Sequence, residues 1–415
     1  MPFERLEYQD SGIAAVPGFQ AAGVACGLKA SGDRDLALIY SAKPCATAGV
    51  FTQNRFLAAP VIYDQELLVR NPMDIRAVVI NSGCANACTG EPGLSDARKT
   101  ALLAGEALSI APESVLVMST GVIGQPLAMD KMAKGIATAA GALSATGGHE
   151  AALAIMTTDT RPKEVAVRLS LAGQTVTVGG MCKGAGMIHP NMATMLGLIA
   201  TDAAVEVRLL GHLLRQAVDR SFNMISVDGD TSTNDTILLL ANGLAANPPL
   251  LDESSPGYED FVAALTFVST ELAKMIVRDG EGATKFVTLR VRGAQSLAEA
   301  KQAAMAIARS CLVKTAVYGE DANWGRVLAA VGYSGVKVDP DRVMLWFGTG
   351  QAGDAPLQLV KGGQPFDVDE ARASEILAHD AIEIVVDLGL GAEEATVWTC
   401  DLSHGYVDIN AHYRT

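Results

Sequence analysis

Glycine placement constrains this chain more than any other feature. The 41 glycines among 415 residues gather at the ends of short apolar runs, where a residue without Cβ lets the backbone turn tightly. Ala77 to Ile80, Val115 to Met118 and Thr236 to Ala241 are such runs, and their length and apolarity predict buried strands. Glu164 to Leu171 and Thr175 to Met181 flank the tripeptide AGQ and predict a hairpin. Phe286 to Val291 alternates apolar and polar residues, and Ile382 to Val386 is expected to face Thr396 to Cys400 across the turn DLGLG. Helical spacing lies between these runs: Leu209, Leu210, Leu213, Leu214, Ala217 and Val218 mark one helix face, and Phe261 to Val277 and Leu297 to Ala308 behave alike. The interleaving lacks the strict rhythm of a doubly wound parallel sheet. It predicts an α+β fold, a layered sandwich of mixed sheets and helices. A composition shift near RDGEGATKF is expected to divide the chain into a larger layered α+β domain over residues 1–283 and a smaller α/β domain over 284–415.

Charge and cysteine usage narrow the function classes. The chain has 32 basic and 46 acidic residues, a net charge of −14, which argues against nucleic acid or an anionic membrane as a partner. No run approaches 18 uninterrupted apolar residues, and the first residues, MPFERLEYQDSG, are charged where a secretory signal is apolar. The expectation is a soluble cytoplasmic protein. Seven scattered cysteines suit a reducing compartment. Cys84 and Cys88 stand four apart in NSGCANACTG, but no second Cys or His pair follows at metal-binding spacing, so no metal site is expected.

The stretch Gly179 to Asp202, GGMCKGAGMIHPNMATMLGLIATD, differs from a structural run. Four glycines and Lys183 precede a proline, after which Thr194 heads an apolar strand-like segment. A threonine there is ordinarily a β-branched residue that suits a strand. Its neighbours alter that reading. KGAGMIHPNMATML resembles the self-cleavage signature of the ornithine acetyltransferase family, also called the bifunctional glutamate N-acetyltransferases of arginine biosynthesis. The likeness extends through AAGVACGLK, NSGCANACTGEPGLSDAR, LVMSTGVIGQPLAMDK, IMTTDTRPK, ISVDGDTSTNDT, RDGEGATKF, VYGEDANWGR and the terminal NAHYRT. One departure is visible: Cys84 stands where the family usually has Asn.

The resemblance implies a self-cleaving scaffold of the N-terminal-nucleophile type, cut between Ala193 and Thr194 into chains 1–193 and 194–415 that assemble as an α2β2 heterotetramer. It implies a ping-pong reaction in which Thr194 takes the acetyl group of N-acetylornithine and passes it to glutamate. Some members also accept acetyl-CoA as a substrate and others do not; no bound cofactor is implied. The physical chemistry agrees. A free α-amine on Thr194, with a reference pKa of about 7.7–8.0, can serve as base for the hydroxyl of the same residue. Matched to the family motif, Thr120 and Gly121 in STGVIG form the oxyanion hole, although spacing alone would read them as a glycine turn after a strand. Substrate-binding positions carried over in the same way are Thr157, Lys183, Thr194, Glu281, Asn410 and Thr415. For a substrate that is a charged amino acid, Lys183 suits a carboxylate and Glu281 the ornithine ammonium.

Three other features carry less. His189 lies five residues before Thr194, but an N-terminal amine makes a separate imidazole base unnecessary. Asp228 to Asp235, DGDTSTND, lacks the EF-hand pattern and reads as a turn tied down by its own side chains near the site. GLGAEE is a bare GxG without the rest of a dinucleotide fingerprint. The alternatives to an acetyltransferase are a self-activated aminopeptidase or amidase on a related scaffold, and a non-catalytic binding protein.

Overall fold

A computed structural model describes residues 2–6, 12–189, 195–366 and 369–412. They fall into two compact units: Met1–Met187, Asn191–Asn223 and Asp230–Ile276 form one, and Ile188–Pro190, Met224–Gly229 and Val277–Thr415 form the other. Two short internal pieces of the first 283 residues, together with residues 277–283, thus cluster with the C-terminal part.

The strands of the first unit are β1 (Phe3–Arg5), β2 (Phe19–Val24), β3 (Leu36–Phe51), β4 (Ile75–Asn81), β5 (Val115–Ser119), β6 (Lys163–Leu171), β7 (Gln174–Lys183) and β8 (Leu196–Thr201). After β9 (Ile225–Ser226), which belongs to the second unit, comes β10 (Thr236–Ala241). Their order is β1-β6-β7-β8-β10-β3-β4-β5, with β2 added on β3. β3 serves two neighbourhoods because its ladder breaks between Tyr40 and Cys45, around Pro44, which has no N–H to donate. Its first half pairs with β2 and β4, and its second half with β10. The expected hairpin is β6–β7, turned at Ala172 and Gly173.

β8 and β10 are parallel and buried along their whole length, which explains why both read as unbroken apolar runs. Leu196, Leu198 and Ala200 of β8 and Leu238 and Leu240 of β10 enter one core cluster. That cluster also holds residues of α1 (Ala59–Arg70), α2 (Gly90–Leu108), α3 (Met129–Ala142) and α4 (Gly148–Ile155). α5 (Val207–Asp219) packs on β3 and buries the six residues its spacing singled out. Glu206 starts it by accepting the Arg208 and Leu209 amides.

The second unit holds a mixed sheet. β11 (Phe286–Ala294), β12 (Met344–Gly348), β13 (Leu357–Lys361), β14 (Gln364–Pro365), β15 (Ala381–Asp387) and β16 (Glu393–Cys400) join β9 in the order β14-β13-β12-β15-β11-β16-β9. Here the sequence expectation fails. β15 and β16 do not face each other; β11 lies between them, parallel to β15 and antiparallel to β16. The DLGLG segment crosses over the end of β11, where the amides of Leu388, Leu390 and Gly391 donate to Arg292 and Gly293 carbonyls. Five residues easily span two strand spacings of about 4.8 Å each. The mixed sheets with packed helices make the protein α+β, as expected. Among the described residues no helix is long and apolar enough to cross a membrane.

Candidate active site

The register of three strands builds the site in the first unit. Lys183 ends β7 and lies opposite Leu196, which starts β8; Leu196 in turn lies opposite Thr236, which starts β10. Three strand ends are therefore level, at the point where the chain leaves residue 194. Ala193 and Thr194 themselves lie outside the described residues, as does Thr415.

Lys183 is not the solvent-facing lysine that its residue type favours; it is 4% exposed. Its Nζ donates to Thr157 Oγ1 at 2.6 Å and to Thr120 Oγ1 at 3.4 Å. Of the two threonines in MTTDT, Thr157 is the one that Lys183 holds. A hydroxyl that accepts from an ammonium keeps its own proton for another acceptor and is polarised toward donating it.

Beneath this group lies Asp159, which the sequence reading did not single out. Its Oδ1 accepts from Lys163 Nζ at 2.7 Å and from the Gly184 amide at 2.6 Å, and its Oδ2 accepts the Thr157 amide at 2.9 Å, with Lys183 Nζ at 4.0 Å. Burial alone would raise the Asp159 carboxyl, but Lys183 and Lys163 outweigh it and hold the group well below the ordinary carboxylate range. Asp159 stays ionised and fixes both lysines.

Thr120 and Gly121 follow β5 on a loop locked to NSGCA. The Thr120 amide donates to Asn81 O, Val122 N to Gly83 O, and Ala85 N to Val122 O. Gly121 has φ +132°, and a Cβ there would collide with the backbone of Gly83 and Cys84, so only glycine fits. Cys84, the departure from the family pattern, is buried and points its Sγ at Gln125 O, 3.4 Å away. The Asn81 side chain holds Cys84 O and accepts from Ser119 Oγ.

Two other expected residues meet in the second unit. Asn410 Nδ2 donates to Glu281 Oε2 at 2.7 Å and to Tyr406 O. The loop around Glu281 is tied to the C-terminal segment through Ser403, which donates to Gly282 O, and Asp401, which accepts the Thr284 and Lys285 amides. His189, also in this unit, has Nδ1 3.3 Å from Ser226 Oγ and Nε2 3.4 Å from Arg309. Burial, with Arg309 and Lys301 nearby, lowers its pKa to about 4. With its ring nitrogens so engaged, His189 is poorly placed to act as a base. Among the described residues, no three His, Cys, Asp or Glu side chains are grouped to hold a metal ion.

Comparison with known proteins decides the family. The ArgJ family model matches residues 20–415. The chain belongs to the ArgJ family. This is the family of ornithine acetyltransferases whose motifs the sequence carries, so the protein is an enzyme of arginine biosynthesis. The arginine biosynthesis bifunctional protein ArgJ of Symbiobacterium thermophilum is 54% identical over 412 residues, 99% of this chain and 100% of the relative. The mitochondrial ArgJ of Schizosaccharomyces japonicus is 51% identical over 96% of this chain and 93% of its own. Among solved structures, the ArgJ of Bacillus halodurans is 41% identical, with a TM-score of 0.50, and covers 52% of this chain and 99% of its own.

Sequence reasoning missed Asp159, Lys163 and the clamp residues Asn81 and Ser119. DTRPK does set three charged residues just before and at the start of a strand, two of which, Asp159 and Lys163, pair with each other.

Proposed function

We propose that the protein cleaves itself between Ala193 and Thr194 and then moves an acetyl group from N-acetylornithine to glutamate through an acetyl ester on Thr194. The observation that carries this reading is the buried Lys183 ammonium, which joins the hydroxyls of Thr120 and Thr157 at the level where β8 emerges from residue 194. In processing, the Thr194 hydroxyl adds to the Ala193 carbonyl and the peptide nitrogen leaves as the α-amine. Water then opens the ester and leaves a carboxylate on Ala193. In transfer, that amine takes the hydroxyl proton as Oγ attacks the acetyl carbonyl. Thr120 Oγ and the Gly121 amide donate to the oxyanion, and ornithine departs with the proton returned to its nitrogen. Glutamate's amine then attacks the acetyl-threonine ester.

Lys183 and Thr157 orient the amino-acid part of the substrate, and Glu281 with Asn410 recognises its charged end; the C-terminal Thr415 is assigned to the same role. Support for cleavage comes from length: the Bacillus halodurans chain is matched over 99% of itself while covering 52% of this one, so it is about as long as either product. The products are proposed to assemble as α2β2 in the cytoplasm, a compartment that suits seven cysteines free of disulfides. Acetyl-CoA is the second donor to assay; the scheme needs no bound cofactor.

The test is N-terminal sequencing of the C-terminal piece, which should begin TMLGLIATDA. Thr194→Ala should remain one chain of 43.2 kDa and transfer no acetyl group. Acyl release that proceeds without glutamate would identify an amidase instead.

A further inference from the structure

We propose that Asn234 and Asp235 are positioning residues that lock the oxyanion loop and the nucleophile-bearing strand to one another. The proposal rests on the reading of Thr194 as nucleophile and of Thr120 and Gly121 as oxyanion donors. Neither Asn234 nor Asp235 touches substrate in it.

The two residues lie immediately before β10, and their side chains reach in two directions. Asn234 Nδ2 donates to Ala85 O at 2.7 Å and to Ser119 O at 2.8 Å. Both amide hydrogens are used, on the two backbone segments that form the oxyanion loop: Ser119 directly precedes Thr120, and Ala85 directly follows Cys84. Asn234 Oδ1 accepts from Thr233 Oγ1 at 2.6 Å, which fixes the orientation of the amide. Asp235 turns to β8. Its Oδ1 accepts the Met195 amide at 3.1 Å, and the Thr236 amide returns a bond to Met195 O at 3.1 Å. Met195 is bonded to Thr194, so the carboxyl grips the peptide next to the nucleophile.

Adjacent Cα atoms are separated by about 3.8 Å, and this dipeptide is pinned from outside as well, by the Thr52 amide on Asp235 O and the Ala58 amide on Thr233 O. Loop and strand therefore cannot shift relative to one another without breaking buried hydrogen bonds. Asp235 is fully buried, with the Thr52 and Ser232 hydroxyls beside its carboxyl. Burial also drives this carboxyl well above its ordinary range, so Asn is a fair mimic of its neutral form.

The test separates positioning from folding. Precursor is made by cell-free translation, cleavage is followed on denaturing gels, and acetyl transfer is measured on cleaved, folded protein with a thermal melt as control. Asn234→Asp sets acceptors against Ala85 O and Ser119 O. It should lower transfer kcat on the order of 10–100-fold, the effect of misplacing a catalytic group by about 1 Å, with KM within about threefold. Asn234→Ser, smaller and uncharged, repeats the measurement if Asn234→Asp does not fold. Asp235→Leu should slow cleavage on the order of 10–100-fold. Asp235→Asn keeps an acceptor for the Met195 amide and should restore cleavage to within about threefold of wild type. A lowered melting temperature with kcat and cleavage rate unchanged per folded molecule overturns the proposal, as does Asp235→Asn failing as badly as Asp235→Leu. Wild-type protein that neither cleaves nor transfers acetyl overturns the reading at Thr194 and this inference with it. Normal wild-type activity beside unaffected variants overturns this inference alone.

Discussion

Lys183→Met separates chemistry from stability at a single buried position. The substitution keeps an unbranched chain of similar length and removes only the ammonium. Two hydroxyls then lose a donor: Thr157 Oγ1, held at 2.6 Å, and Thr120 Oγ1, at 3.4 Å. The shorter contact is a charge-assisted bond, worth about 1.5–3 kcal/mol; the longer is at the limit of hydrogen bonding and contributes less. At about 1.4 kcal/mol per tenfold, the expected fall in kcat/KM is roughly 10- to 150-fold. Stability should move far less. Asp159 loses a cation 4.0 Å away but keeps Lys163 at 2.7 Å and the Gly184 and Thr157 amides, so its charge stays paired and escapes the heavy penalty of a buried carboxylate stripped of its partner. The assay is steady-state acetyl transfer on cleaved protein, paired with thermal melts of the same preparations. A melting temperature that collapses while activity per folded molecule survives would refute the assignment of Lys183 to the substrate side.

Thr120→Ala removes a proposed oxyanion donor and leaves the Gly121 turn in place. The kcat for acetyl transfer should fall on the order of 10²-fold with KM little changed, measured on fully cleaved protein; an unchanged kcat would remove Thr120 from the site. His189 gives a pH prediction. Its pKa falls from 6.5 to about 4 on burial beside Arg309 and Lys301, so its contribution to stability is full above pH 6.5 and is lost as pH drops toward 4. Wild type should therefore lose more melting temperature than His189→Gln across that window, and equal losses would contradict the burial argument.

The legible parts of this protein are those with local causes. The six α5 residues follow from a 3.6-residue period, and the β6–β7 hairpin from two apolar runs around one glycine turn. The β15–β16 pairing failed because a glycine-rich connection looks alike whether it closes a hairpin or crosses one strand; only the amides that dock on β11 tell the two apart. The same limit hid Asp159, Asn234 and Asp235. Asp159 lies 24 residues from Lys183, and Asn234 is 115 positions from Ser119 and 149 from Ala85. Each works through a contact that no spacing rule reports. Thr120, Lys183 and Thr157 were reached only through family motifs, since by residue type alone each had a commonplace role.

The sheet order makes one further prediction about processing. Residues 194–415 would contribute β8 and β10 as an adjacent parallel pair, inserted between β7 and β3 of residues 1–193. One seam pairs Val178 to Lys183 with Thr201 to Leu196, and the other pairs Thr236 to Ala241 with Phe51 to Ala46. Side chains add to both: Thr52 Oγ1 donates to Ser232 O and Asn54 Nδ2 to Thr231 O. Pulling the pieces apart would open two strand edges and expose Leu196, Leu198, Ile199, Ile237, Leu238, Leu239 and Leu240, all buried. At about 1.5–3 kcal/mol for each large apolar side chain, that is on the order of 10 kcal/mol or more before any hydrogen bond is counted. Cleavage should thus leave the fold intact. An affinity tag on the first piece should retain the second through extensive native dilution and release it only in guanidinium. Loss of residues 194–415 in native buffer would mean that the break lies elsewhere, or that β8 and β10 are not seated between β7 and β3.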